Sequence, residues 1–347
     1  MSVNVLPEGT TVNDRYVLAR KLGSDGEVYQ AHDRHLDQTV ALKILRPDAG
    51  APQSWDEAKR LEQLRSRYIV PIINADVIGN SDLRYIVTQL LPDGDLESEA
   101  APHGLPSSLA ARYGQHIATG LDAVHAMGML HRDVKPANAL LEGDIAVVSD
   151  VEFCVVPDVD GFAPRTGSWC TLAPEVAAFD GACTVYSDVY SLAATVYYLL
   201  SGEYPVDHRI DRAEQQRRIA GGELRPLSEL APHVPRALAA VVKRGLSFEP
   251  QHRHESAEAF GNALATAAGG KRNWRRVAHP GHQFCAEGQA LGQRAAVGVC
   301  SEPSATGTVM VRAFHLASGR RIATGQRSAV RHGRLSGTIR SVISALS

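Results

Sequence analysis

The hydrophobic and polar positions along the chain fall into three regimes. Up to about residue 91 the apolar residues come in short runs rich in β-branched and aromatic side chains, broken by Gly, Asp and Asn. These runs, residues 16–22, 28–32, 39–45, 69–77 and 83–89, predict strands. One stretch among them reads as a helix, because Trp55, Ala58, Leu61 and Leu64 recur at a spacing of three between charged residues. From Ser107 the period becomes helical. Residues 109–127 predict a long helix, with Ser107 or Ser108 as N-cap and Gly128 at its C-terminal side. Residues 188–200 are nearly all apolar, which predicts a buried helix, and helices over 238–246 and 256–268 follow. The pair Gly269-Gly270 is a break. Beyond it residues 295–300, 308–314, 321–330 and 338–343 read as short strands, with a hairpin turn at Ser318-Gly319.

Composition adds a core and removes several classes. Of 347 residues, 44% are apolar and 21% charged, which supplies a packed interior and argues against disorder. No run of about 18 apolar residues predicts a membrane span, and the N-terminus lacks a basic start and apolar run of the signal-peptide kind. Five cysteines, an odd count, suit a reducing compartment rather than a disulfide framework, so a cytoplasmic protein is expected. The net charge of −2 hides an asymmetry. Residues 271–347 carry twelve Lys and Arg against two Glu, a formal +10, and residues 1–270 carry 24 basic against 36 acidic residues, a formal −12.

The chemistry concentrates in His131-Arg132-Asp133-Val134-Lys135-Pro136-Ala137-Asn138, between a helix and a short apolar strand. An Asp five residues before an Asn, with a Lys between them, suits phosphoryl transfer. The carboxylate can orient an attacking hydroxyl, the amide oxygen can hold a metal on nucleotide phosphates, and the Lys can stabilise the transferring group. Further on, Val147-Val148-Ser149-Asp150 ends an apolar strand on a second carboxylate suited to Mg²⁺.

With these residues the chain resembles the protein kinases, in particular the bacterial Ser/Thr kinases of eukaryotic type, over about residues 10–267. Val40-Ala41-Leu42-Lys43 resembles the strand bearing the phosphate-binding lysine, and Glu57 stands in the place of its ion-pair partner. Asp133 resembles the catalytic base, Asn138 and Asp150 the metal ligands, and Lys135 the lysine typical of Ser/Thr enzymes. Ala173-Pro174-Glu175 resembles the end of the activation segment, Asp188 the brace of the catalytic loop, and Arg253 the partner of Glu175. The resemblance implies an α+β, two-lobed protein kinase fold over residues 10–268. Its strand-rich N-lobe would span 10–91 and its helical C-lobe 92–268, followed by a small β-rich domain over 271–347. It also implies ATP and Mg²⁺ as cofactors, with Mn²⁺ as the alternative cation, and protein substrates. The nucleotide site would include Leu22, Gly23, Gly26, Val28, Ala41, Lys43, the Gln89–Leu91 hinge next to the gatekeeper Thr88, Asn138 and Asp150.

Two departures bear on activity. The nucleotide loop, Leu22-Gly23-Ser24-Asp25-Gly26-Glu27-Val28, is short, has lost a glycine, and places a carboxylate near the phosphates. Asp150-Val151-Glu152 replaces the family's Asp-Phe-Gly. The function expected is therefore a Ser/Thr protein kinase of reduced activity. The alternative is a pseudokinase, a scaffold or nucleotide-sensing module acting through its tail. Thr166 and Ser168 read either as phosphorylation sites that would engage Arg132 or as plain loop hydroxyls. In the tail, His279, His282, Cys285 and Cys300 have the ligand types of structural zinc, but His-Pro-Gly-His reads equally well as a turn, and a disulfide is the third reading. The basic tail is expected to dock on the acidic kinase domain, with nucleic acid the alternative partner.

Overall fold

The computed structural model describes residues 6–22, 27–45, 63–79, 81–178, 181–290, 292, 295–304 and 307–347, leaving aside the side chain of Phe153. The expected helix around Trp55, with Glu57, and the nucleotide-loop residues Gly23, Ser24, Asp25 and Gly26 lie outside the described residues.

The N-terminal lobe is a six-stranded antiparallel sheet of β1 (Thr11–Val12), β2 (Tyr16–Leu22), β3 (Val28–Asp33), β4 (Gln38–Leu45), β5 (Ile72–Val77) and β6 (Arg84–Gln89), in the order β1-β2-β3-β4-β6-β5. Side chains alternate across a strand, so one face of these strands makes a core and the other a wall. Tyr16, Leu18, Tyr29, Ala31, Val40, Leu42, Ile44, Tyr85 and Val87 are buried together on the first face. The opposite face carries Ala41 and Lys43. Register sets Val28 beside Lys43 and Thr88 beside Ala41.

The second lobe is helical. Its elements are α1 (Leu96–Ala100), α2 (Ser107–Ala126), the hairpin β7 (Ala139–Glu142) and β8 (Ile145–Val148), the small pair β9 (Ala163–Pro164) and β10 (Ala182–Cys183), α3 (Val185–Ser201), α4 (Arg212–Ala220), α5 (Arg236–Gly245) and α6 (Ala257–Ala267). The apolar helix α3 is buried along nearly its whole length. A capping box between Thr184 and Ser187 starts it and left-handed Gly202 ends it. Helix α2 crosses close to α3 and α6 because Gly114 has no side chain; a Cβ there would lie 2.7 Å from Val196 and 2.8 Å from Leu264. Helix α4 is absent from the sequence reading. Its segment is polar, buries only Ile219, and is signalled mainly by its N-cap, Asp211.

Residues after Gly270 form a five-stranded antiparallel meander of β11 (Arg272–Val277), β12 (Phe284–Ala290), β13 (Val297–Pro303), β14 (Val309–His315) and β15 (Arg327–Val330), covered by helix α7 (Leu335–Leu346). The sheet and helix share a core of Trp274, Phe284, Val297, Val299, Val311, Ala313, Ile339, Val342 and Ile343. Two expected strands are corrected: of residues 321–330 only Arg327–Val330 is a strand, because Ala323–Gly325 makes a tight helical turn before it, and residues 338–343 are not extended at all. Residues 338–343 are helical: Leu335, Ile339, Val342, Ile343 and Leu346 fall on one helical face, and that period outweighs the β-branched run. Strands β11 and β12 also went unread, because Arg272–Val277 is rich in Arg and Phe284–Ala290 in small residues, which masks their alternation.

This domain touches the helical lobe along one edge. Helix α2 begins without a side-chain cap of its own, and neither Ser107 nor Ser108 is its N-cap. Instead Asn273 of β11 accepts the Ser108 N–H through Oδ1 at 3.1 Å. Ser107 Oγ donates to the Trp274 carbonyl at 3.5 Å, and Ser336 Oγ to the Glu229 carbonyl at 3.2 Å. Phe284 packs on the His233 ring with centroids 6.0 Å apart.

Candidate active site

The catalytic loop is held from below by one carboxylate. Asp188, in the first turn of α3, is 1% exposed and accepts the N–H groups of His131 and Arg132, both at 2.8 Å, and a hydrogen bond with His125 Nε2 at 2.8 Å. Burial pushes this carboxyl up, but the hydrogen bond from His125 and the neighbouring imidazoles and N–H groups outweigh it and hold Asp188 below its ordinary value. The loop needs such a brace because Arg132 sits at φ 70°, a region costly for any residue but glycine. His131 closes the other side by bonding the Ser149 carbonyl through Nε2 at 3.0 Å.

Above this brace Asp133 is enclosed by three donor groups. Asn138 Nδ2 donates to its carbonyl at 2.9 Å and to Oδ2 at 3.0 Å. Lys135 Nζ lies 3.0 Å from Oδ2, and the Ser168 N–H donates to Oδ1 at 2.8 Å. Burial raises the Asp133 carboxyl, yet Lys135 and the Ser168 N–H more than offset it, so the group is held below its ordinary value and is ionised at neutral pH. Asn138 spends its NH₂ on Asp133, which leaves the amide oxygen as the atom that can face a cation. Ser168 is no bystander hydroxyl. Its Oγ accepts from Lys135 Nζ at 2.9 Å, so the activation segment closes on the loop through both its backbone and its side chain. Arg132 reaches the same segment at the Pro164 carbonyl, 3.2 Å away.

Lys43 faces the loop from the N-lobe. Its Nζ lies 2.9 Å from Asp150 Oδ2 and also pairs with Glu152. Asp150 is at φ 57°, where β8 turns into the short helical turn Val151–Phe153, and Val151 packs into the C-lobe core. Glu152 is buried, and burial together with the nearby Asp150 charge raises its carboxyl to about 6, with Lys43 opposing. Burial lowers the Lys43 ammonium, but the two carboxylates outweigh that and raise it. In the sequence Glu152 is visible only as a departure from Asp-Phe-Gly, and its burial beside Lys43 depends on the turn at Asp150.

The remaining expected residues line the same cleft wall. Leu22 pairs with Val28, Val28 with Lys43, and Ala41 with Thr88. Gln89 ends β6, its N–H donating to the Pro71 carbonyl at 3.3 Å and its side chain to Glu142 at 3.1 Å; Leu91 is buried just beyond. Far from the cleft, Arg253 forks onto Glu175 at 2.6 and 2.7 Å and ties the end of the activation segment to the carbonyls of Tyr186, Ser247 and Phe248.

Two lobes around a cleft, with a carboxylate, an amide and two lysines converging in it, define a phosphoryl-transfer scaffold. Residues 16–263 match the protein kinase domain, and the chain belongs to the protein kinase family. Serine/threonine-protein kinase PknH of Mycobacterium tuberculosis is 32% identical over 257 residues, covering 70% of this chain and 40% of its own. Serine/threonine-protein kinase PrkC of Bacillus subtilis is 28% identical over 278 residues, covering 75% and 41%. The chain spans less than half the length of these relatives. Members of the family use ATP and a divalent metal ion. Among the described residues no helix is long and apolar enough to cross a membrane.

Proposed function

We propose that the chain is a protein serine/threonine kinase that transfers the γ-phosphate of ATP, with Mg²⁺, to Ser or Thr hydroxyls of proteins. The observation that carries this reading is the enclosure of Asp133 by Asn138, Lys135 and the Ser168 N–H. These contacts keep the carboxylate ionised and fixed, ready to orient an acceptor hydroxyl and take its proton. Lys135, 3.0 Å from that carboxylate, can neutralise charge on the phosphoryl group in passage. The Asn138 amide oxygen and the Asp150 carboxylate form an all-oxygen donor pair that fits Mg²⁺, which would supply charge neutralisation on the phosphates. Mn²⁺ would suit the same donors, and an activity comparison decides between the two ions. Lys43 would bind phosphate oxygens, with Glu57 as its proposed anchor. The adenine would lie against Leu22, Val28, Ala41 and Leu91, with Gly23 and Gly26 over the phosphates. The Gln89 N–H is engaged by the Pro71 carbonyl, so donation to the adenine by hinge backbone falls to the residues after it.

Autophosphorylation with labelled ATP tests this reading. Asp133→Asn should lower incorporation by about 10²–10⁴, and wild-type incorporation no greater than the variant's would overturn it.

A second reading, a weak kinase or pseudokinase, is favoured by one observation: Glu152 occupies Lys43 on the phosphate side of the cleft. Under it the chain binds nucleotide weakly and signals through its C-terminal domain. We also place the protein in the cytoplasm, where ATP and protein substrates meet; cell fractionation tests this. The Asn273 cap on α2 supports intramolecular docking of residues 271–347 as the resting arrangement, ahead of nucleic-acid binding.

A further inference from the structure

Outside the kinase cleft, a cluster of four ligand-type side chains lies at the end of the β11–β12 hairpin. His279 and His282 sit in the connecting loop. Gly281, at φ 76°, turns the chain so that the His282 N–H returns to the His279 carbonyl at 3.1 Å. That turn sets the two imidazoles 5.7 Å apart, at 71° to each other. Cys285 on β12 and Cys300 on β13 are directly paired across the sheet, and both are buried free thiols. Each imidazole points at one of them: His282 Nδ1 lies 3.2 Å from Cys285 Sγ, and His279 Nδ1 lies 3.3 Å from Cys300 Sγ. The four ligand atoms all lie within 4.8 Å of one another.

We propose that His279, His282, Cys285 and Cys300 form a structural zinc site that staples the β11–β12 hairpin to β13. A tetrahedron with Zn–S of about 2.3 Å and Zn–N of about 2.0 Å has S···N edges of roughly 3.5 Å, so the present spacing needs only small adjustment to take the ion. Two thiolates and two neutral imidazoles balance the charge of Zn²⁺, which matters in a domain with twelve basic and two acidic residues. A Cys285–Cys300 disulfide would explain the paired sulfurs but not the two imidazoles aimed at them. All four ligands come from the domain itself and none lies in the kinase cleft, so the site is closed and structural rather than catalytic. The hairpin it fixes also carries Asn273, Trp274 and Phe284, which make the contact with the helical lobe. The metal therefore also holds the docking surface in shape.

The test uses the full chain, purified without chelator under reducing conditions. Elemental analysis should find about one zinc per chain. Replacement by Co²⁺ should give intense visible bands of tetrahedral cobalt together with a thiolate-to-cobalt band in the near ultraviolet. Cys300→Ser and His279→Gln should each lose that spectrum and the stoichiometric metal. The wild-type cobalt titration needs no variant, so the proposal stays testable should Cys300→Ser fail to fold. Zinc-free protein whose cobalt spectrum is octahedral and lacks the thiolate band would overturn it. So would zinc retained in full by a folded Cys300→Ser, or an intact mass showing Cys285 and Cys300 oxidised to each other in the reduced preparation.

Discussion

At the scale of single residues, Glu152 sets the cleft apart. A carboxylate beside Asp150 doubles the negative charge around Lys43 where a nucleotide would bring still more. Glu152→Gly should therefore tighten ATP binding several-fold and raise activity; titration calorimetry with equal Kd for both proteins would contradict this. The same residue has a pH signature. Its folded pKa, about 6, lies above the unfolded 4.5, so the folded state holds the extra proton in that window and stability declines as pH rises from about 4.5 to 6. Glu152→Gln should flatten that part of the Tm–pH curve. Ser168 yields an opposite expectation to activation by phosphate. Its N–H and Oγ already serve Asp133 and Lys135, so added negative charge there would repel the base and draw Lys135 away. Ser168→Asp should lower kcat by about tenfold or more, whereas Ser168→Ala, which keeps the N–H bond, should lower it far less. Equal kcat for both variants would refute the placement.

At the scale of elements, the start of α2 is a contact between the kinase lobe and the tail. A helix start leaves N–H groups unpaired, and here a side chain from another domain supplies one partner. Asn273→Ala should cost about 1 kcal/mol of stability and raise amide exchange at Ser108, leaving the Asp133 loop unchanged; unaltered exchange at that amide would show that the cap carries no weight. The elements themselves were unevenly legible. Strands over residues 16–22 and 39–45 and helix α3 announce themselves by alternation or by continuous apolarity. Helices α4 and α7 and strands β11 and β12 do not, because their fates follow from what they pack against. Ile339 and Val342 read as strand residues until the helix face they share is brought onto the sheet.

At the scale of the whole molecule, the hydrogen bonds of the seam between kinase domain and tail join neutral groups, an amide, hydroxyls and backbone carbonyls, beside the Phe284–His233 contact and the half-buried Arg276 guanidinium that lies over Phe284. Charge asymmetry guides approach over long range, but such a seam itself should resist salt. His233 makes it acid-sensitive instead. The ring is fully buried with both nitrogens unpartnered, and burial, aided by Arg276, lowers it to about 3. Unfolding or undocking then takes up a proton below the unfolded value of 6.5, so stability is complete above that pH and declines by about 1.4 kcal/mol per unit beneath it. His233→Leu should remove most of this decline between pH 6.5 and 5, read as Tm against pH; a parallel decline in both proteins would place the sensitivity elsewhere.

The sequence by itself determined the kinase membership and the charge boundary near Gly269, and it singled out Lys43, Asp133, Lys135, Asn138 and Asp150 as candidate site residues. Those residues are marked by their spacing within short segments, and local spacing is visible in one dimension. Only the tertiary structure decided that Glu152 turns inward onto Lys43, that Ser168 closes on Asp133, and that Asn273 caps a helix 165 residues away in the chain. It also brought four ligand atoms from a loop and two strands within 4.8 Å. These pairings join segments distant in sequence, and their partners are set by register, burial and the packing of whole elements.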